Sequence, residues 1–119
     1  MLKVMAKLHD EGYITFTPFC DYSPVDLIAM DSNGKVFRLQ VKYRTRNSPT
    51  ARNKACNYSV AASSMVNGVR VAIDRNMIDG WAIYLADDDK LIFVSVKEFT
   101  GGCKNFTGDE TGYDSLSTW

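Results

Sequence analysis

The sequence predicts one mixed α/β (α+β) domain, and three observations carry that prediction. A chain of 119 residues is one domain, long enough to bury a single modest core. An apolar stripe at helical spacing opens the chain, and runs of β-branched and aromatic residues come after it. Turn signals separate those runs at short intervals, so most of the chain beyond the helix reads as sheet.

Leu2 to Glu11 reads as a short helix. Val4, Met5 and Leu8, with Met1, share one face, and Gly12 is a good C-terminal stop. His9, the only histidine, has no ligand spacing around it and reads as a surface residue. Tyr13 to Thr17 is a β-branched and aromatic strand ended by Pro18. Val25 to Asp31 is a second strand, apolar except for Asp26, as burial on both faces requires. Asp31-Ser32-Asn33-Gly34-Lys35 is a turn, and Val36 to Arg44 alternates after it. Phe37, Leu39, Val41 and Tyr43 take one face, and Arg38, Gln40, Lys42 and Arg44 take the other.

Asn47 to Asn57 is a polar, basic loop. Tyr58 to Val66 fits either helix or strand by composition. The Asn67-Gly68 turn and the run Val69 to Ile73 favour a hairpin there. Asp74 to Asp79 is a turn. Trp81 to Leu85 and Leu91 to Val94 form a second hairpin around Asp87-Asp88-Asp89, which reads as a solvated acidic loop. Ser95 to Phe99 reads as a short helix with Ser95 as its N-cap. From Thr100 the chain is rich in Gly, Ser and Thr and reads as a loose tail that Phe106 and Trp119 could anchor. The domain is thus expected over residues 1–99 and the tail over 100–119.

Composition narrows the function classes. No run of about 18 apolar residues is present, so no membrane-spanning helix is expected. Cys20, Cys56 and Cys103 are odd in number and lack C-x-x-C spacing. A disulfide framework or structural zinc site is therefore not expected, and the pattern fits a reducing intracellular setting, cytoplasm or nucleoid. Net charge is zero, but its distribution is uneven: residues 35–75 hold nine Lys/Arg and one acid, Asp74, between two acidic ends. That concentration points to an anion-binding face.

The hairpin around Asp31 brings chemistry with it, provided the register is right. A two-residue Asn33-Gly34 loop would pair Asp26 with Val41 and turn it away from Gln40 and Lys42. A three-residue loop, Ser32-Asn33-Gly34, pairs Asp31 with Lys35 and hence Asp26 with Gln40. A slip of one residue moves every side chain to the other face. In the three-residue register, a carboxylate, an amide and an ammonium share one face. Gln40 and Lys42 then lie roughly 6–7 Å apart along their strand. Asp26, Gln40 and the Val41 carbonyl are oxygen donors of the kind that suit Mg²⁺. Lys42 would orient or help deprotonate a water and offset charge on a phosphate. Arg38 and Arg44 extend the face and would hold flanking phosphates, and Arg46, Arg52, Lys54, Arg70 and Arg75 complete the basic segment. The plainer alternative is that Asp26 and Lys42 form a simple ion pair.

Pro24-Val25-Asp26, thirteen residues, then Gln40-Val41-Lys42 resembles the PD-(D/E)XK nucleases. The Gln-x-Lys form of the third motif is similar to the branch that includes group I intron homing endonucleases. The stretch from Ile73 through Asp79-Gly80-Trp81 to Tyr84 also looks like that branch. The resemblance spans about residues 2 to 95. It implies a restriction-endonuclease-like core, with an N-terminal helix followed by a mixed central sheet. It further implies Mg²⁺-dependent cleavage of double-stranded DNA, with Mn²⁺ as a substitute, by a homo-oligomer (dimer or tetramer). It makes Asp26, Gln40 and Lys42 the catalytic set, with Asp26, Gln40 and Val41 holding metal. This sequence departs from the family at two places. Gln40 is neutral where the family has Asp or Glu, and Met1 stands where the first helix often has Glu, leaving Glu11 or Asp21 to substitute. A Holliday-junction-resolvase-like nuclease and a catalytically impaired DNA-binding module are the alternatives.

Overall fold

The computed structural model describes residues 1–19, 23–47, 58–66, 68–108, 113 and 115–119. Helix α1 spans Leu2–Asp10 and buries Val4 and Leu8, as the stripe requires. Gly12 takes the left-handed conformation just past its end (φ 93°). His9 bonds the Thr15 hydroxyl at 2.9 Å on the surface. Five strands then build one sheet: β1 (Ile14–Phe16), β2 (Leu27–Met30), β3 (Val36–Arg44), and, later in the chain, Gly80–Leu85 and Lys90–Ser95. Between β3 and those last two strands come β4 (Tyr58–Ala61), β5 (Ser63–Val66) and β6 (Val69–Ala72). The sheet's final pair are therefore β7 and β8, and β9 is Cys103–Phe106.

The sheet order is β1-β2-β3-β7-β8, with β3 and β7 parallel and the other neighbours antiparallel. This is the expected mixed sheet. A parallel pair needs a crossover, and here it carries β4 and the β5–β6 ribbon; β4 pairs antiparallel with β9, which follows β8 in the chain. The hairpin favoured for Tyr58 to Ile73 is realised by β5 and β6, with β4 ahead of it pairing elsewhere.

The β2–β3 hairpin has the three-residue register. Met30 pairs with Val36 and Leu27 with Leu39, and just before β2 the Asp26 N–H donates to the Leu39 carbonyl at 2.9 Å. The Asp31 N–H donates to the Lys35 carbonyl at 3.0 Å, and Gly34 has φ 82°. The Asp31 carboxylate locks the loop by accepting from the Asn33 and Lys35 N–H groups, both at 2.9 Å. An Asx turn of this kind fixes the count of loop residues, and with it the face on which each later side chain emerges.

The two faces of the sheet bury separate cores. On one, α1 covers Leu27, Ala29, Phe37, Leu39, Ala82, Tyr84 and Phe93. On the other, Tyr58, Val60, Phe99 and Phe106 pack on Trp81, Ile83, Leu85, Ile92 and Val94. All six residues of β7 are buried, as a central strand demands. Gly80 opens β7 because a Cβ there would meet the Val94 carbonyl oxygen at 2.4 Å.

Two expectations are corrected, and a third gains detail. Ser95 to Phe99 is a turn, not a helix. The N–H groups of Glu98 and Phe99 both donate to the Ser95 carbonyl, and the chain then leaves to bury Phe99. The segment read as a loose tail supplies β9, buries Phe106 and Leu116, and sets Trp119 edge-on to Phe37. Its sparse apolar residues are enough because each fills a site already prepared by the sheet. The acidic turn is solvent-exposed, as expected, and its carboxylates also hold groups of the body. Asp88 accepts from the Tyr58 hydroxyl at 2.5 Å and pairs with Arg46 at 2.6 Å. Asp89 accepts from the Tyr84 hydroxyl and pairs with Lys7 at 3.5 Å. Burial and the bond to Asp88 push the Tyr58 hydroxyl up to about 12.

Candidate active site

Asp26 sits one residue before β2 and continues its ladder by other means. Its N–H donates to the Leu39 carbonyl at 2.9 Å. Its Oδ2 then accepts from the Val41 N–H at 2.9 Å, taking the place of the next backbone carbonyl. In an extended strand the N–H and C=O of one residue point the same way. The Val41 carbonyl therefore opens on the side where β2 has ended, beside the Asp26 carboxylate. Asp26 Oδ1 has no hydrogen-bond partner among the described residues.

Gln40 and Lys42 are the buried polar side chains among the described residues, 4% and 9% exposed. Gln40 Oε1 accepts from the Trp81 indole N–H at 3.0 Å. Lys42 Nζ donates to the Ser63 carbonyl at the start of β5, at 2.7 Å. The simple Asp26–Lys42 ion pair is not formed: the ion pairs among the described residues join Lys7 to Asp89, Arg38 to Asp79 and Arg46 to Asp88.

The electrostatics of the two charged groups are opposed. Burial pushes the Asp26 carboxyl up, while the Val41 N–H and the Lys42 charge pull it back. Burial also pushes the Lys42 ammonium down. Arg44 and Arg70 act in the same direction, against Asp26. In both groups burial, which disfavours the charged form, is the largest influence.

The donor set fits one kind of metal. Among the described residues, no three His, Cys, Asp or Glu side chains come together, and the first turn of α1 carries no acid. The candidate ligands are oxygen donors: the Asp26 carboxylate, the carbonyl of Val41, whose N–H that carboxylate accepts, and the Gln40 amide, whose oxygen faces Trp81. Such a set suits a hard divalent ion that keeps several of its waters.

A profile of PD-(D/E)XK endonucleases matches residues 1–108. The chain belongs to the PD-(D/E)XK endonuclease family. No curated protein sequence matches this chain. Its fold is similar to that of a bacterial homing endonuclease, I-Ssp6803I, with a TM-score of 0.72 and 20% identity. That likeness covers 97% of this chain and 76% of the other.

In this PD-(D/E)XK domain the basic residues divide into groups. Arg44 and Arg70 lie close enough to Lys42 to lower its pKa. Arg70 also donates to the Ser63 hydroxyl at 2.9 Å, within the β5–β6 ribbon, and the Lys42 bond to the Ser63 carbonyl ties that ribbon to β3. Arg38, Arg46 and Arg75 have partners within the chain. Arg38 forms a fork on Asp79, with contacts of 3.1 and 3.3 Å, and pins the 74–79 turn to β3. Arg46 holds Asp88 and lies over the Tyr58 ring. Arg75 donates to the carbonyls of Phe99 and Gly101. Arg52, Lys54 and Asp21 lie outside the described residues.

Two participants escaped the sequence reading. Trp81 faces Gln40 across a parallel pair whose crossover is long, and no local spacing announces that contact. Ser63 enters through its backbone carbonyl, which any residue type would supply.

Proposed function

We propose that this endonuclease is a Mg²⁺-dependent DNA-cleaving enzyme of the homing type, acting on double-stranded DNA as a dimer or tetramer. The observation that supports this most is the 2.9 Å bond from the Val41 N–H to Asp26 Oδ2, which ties Asp26 to the strand that carries Gln40 and Lys42. A divalent ion at the oxygen donors would polarise the scissile phosphate and lower the pKa of a bound water, and Mn²⁺ would substitute for Mg²⁺. Asp26 brings the one negative charge. Its Oδ2 is tied to Val41, so Oδ1 is the oxygen left to ligate. Gln40 adds a neutral oxygen. Lys42 orients the attacking water and offsets charge building on the phosphate, and burial strengthens that interaction. Arg44 and Arg70 flank Lys42 and hold neighbouring phosphates.

Plasmid cleavage in Mg²⁺ tests this reading. Asp26→Ala and Lys42→Ala should each abolish cleavage while DNA binding persists in a mobility-shift assay. Undiminished cleavage by either variant refutes it. The lack of an acid in the first turn of α1 favours one rival, a DNA-binding module with a weakened centre. Binding by the unmodified chain with no cleavage in either ion would select that rival. Preference for a four-way junction over duplex would instead select a resolvase-like nuclease.

A further inference from the structure

A carboxylate offers a metal two equivalent oxygens, whereas an amide offers one oxygen and one nitrogen that cannot ligate. Gln40 therefore needs something that a Glu at the same position would not: a device that decides which end of the amide faces the cation. We infer that Trp81 is that device, a positioning residue that holds the Gln40 amide with its oxygen presented to the site. The inference rests on the roles proposed for Asp26, Gln40 and Lys42.

Gln40 and Trp81 are partners across the parallel β3–β7 pair, and both side chains are buried. Trp81 Nε1 lies 3.0 Å from Gln40 Oε1. An indole N–H only donates, so the atom it faces has to be an acceptor. Rotating the amide by half a turn would set the NH₂ group against the indole N–H, leaving two donors facing each other in a buried place. The amide oxygen has two lone pairs. Trp81 engages one, and the second remains for a cation.

The indole is itself held in place. Phe99 packs on it at a tilt, with ring centroids 4.7 Å apart, and the Arg75 guanidinium lies 5.8 Å from the ring centroid. Arg75 is fixed in turn by the carbonyls of Phe99 and Gly101, at 3.2 and 2.8 Å. Gly80 lets β7 press against β8 at this point, so the strand carrying Trp81 has no room to shift. Arg75, expected from the sequence to bind DNA, thus serves in this fold to seat the residue that orients Gln40.

A double-mutant cycle on the full chain tests the inference, with free Mn²⁺ read by electron paramagnetic resonance. Trp81→Phe keeps most of the ring volume and removes the N–H. In the Gln40 background it should weaken Mn²⁺ binding about tenfold, the lower end of what loss of an outer-shell partner costs. In the Gln40→Glu background the same change should weaken it far less, because neither carboxylate oxygen is a wrong end. Equal losses in the two backgrounds would mean that Trp81 acts by packing alone, and no loss in the Gln40 background would mean that it does not act at all. Either result overturns the inference. Asp26→Ala is the reference. If it leaves Mn²⁺ binding intact, the site reading fails and this inference with it. If it abolishes binding while Trp81→Phe changes nothing, only the inference fails. Should Trp81→Phe not fold, hydrogen exchange of the Trp81 indole proton in the native chain decides. Slow exchange that is lost in Gln40→Met supports the bond, and fast exchange in the native chain overturns it.

Discussion

Replacing Asp26 separates its two duties, because alanine and asparagine remove different things. Asp26→Ala deletes the acceptor of the Val41 N–H, a 2.9 Å bond that closes the ladder where β2 ends. Leaving a buried backbone donor unpaired costs about 1–3 kcal/mol. Both residues are only partly buried, so water can reach the donor and the loss should fall near about 1 kcal/mol. That corresponds to roughly 3–6 °C in Tm for a domain of this size. Asp26→Asn keeps an oxygen of the same reach and removes the charge. Burial is the largest influence on the Asp26 carboxyl and raises its pKa, so the ionised form works against folding. Asparagine should therefore be at least as stable as aspartate at neutral pH, although cleavage falls to background in both variants.

The pH dependence carries the sign. The unfolded chain ionises Asp26 near 3.8, and the folded chain does so at a higher pH. Between those values the native state binds more protons than the unfolded one, so this residue's contribution falls as pH rises. Below about 3.8 the unmodified chain and Asp26→Asn should melt alike. Their gap should open as pH rises through the folded value and stay constant above it. Thermal melts from pH 3 to 7, run beside plasmid cleavage, measure both effects. The reasoning is refuted if asparagine destabilises as much as alanine, or if the asparagine variant cleaves at the native rate.

Two further perturbations address the turn and the neutral ligand. Gly34→Ala should lower stability by about 1 kcal/mol and leave cleavage intact. A non-glycine residue in the left-handed region costs roughly 1–2 kcal/mol, Gly34 has φ 82°, and a Cβ there meets nothing within 4 Å. Denaturant titration checks the first outcome and plasmid nicking the second. Gln40→Glu should tighten Mg²⁺ binding and raise cleavage at low Mg²⁺, because it adds a second anionic oxygen to a site with one carboxylate. Calorimetric titration of Mg²⁺ into the two chains measures this.

The β2–β3 hairpin, which carries the candidate residues, was legible because its information is local. Alternation fixes the two faces of β3, and Asn33-Gly34 after Asp31 restricts the loop to two lengths. Only one of those turns Asp26 toward Gln40, so chemistry and turn geometry could be checked against each other. The β7–β8 hairpin was legible for the same reason. The turn at Ser95 and the strand at Cys103–Phe106 were not. Ser95 is a fair N-cap by type, but burying Phe99 against Trp81 takes the chain out of helical geometry. Cys103-Lys104-Asn105-Phe106 has little strand propensity of its own and becomes a strand because β4 offers an edge to pair with. Neither outcome is written in the local pattern, because each is decided by a partner far away in the chain.

Charge is where counting residues and seeing them placed differ most. Nine cations in residues 35–75 suggest a broad positive face. A cation engaged by a carboxylate or by carbonyls contributes less field at a distance than its formal charge implies. Arg38 is matched by Asp79 and Arg46 by Asp88, so each joins the basic segment to an acid of the C-terminal third. Arg75 commits its donors to two carbonyls. The acidic C-terminal residues are therefore counterions for the central basic ones as much as a surface of their own. Lys42, Arg44 and Arg70 donate to the Ser63 carbonyl, the Tyr43 carbonyl and the Ser63 hydroxyl. None of them is in an ion pair among the described residues, and the two arginines are close enough to perturb the lysine. Burial lowers the Lys42 pKa most and repulsion within that trio adds to it; an approaching phosphate would relieve the repulsion. The same cluster that disfavours a charged lysine in the free domain would thus favour it once a polyanion is bound, coupling the protonation of Lys42 to occupation of the site.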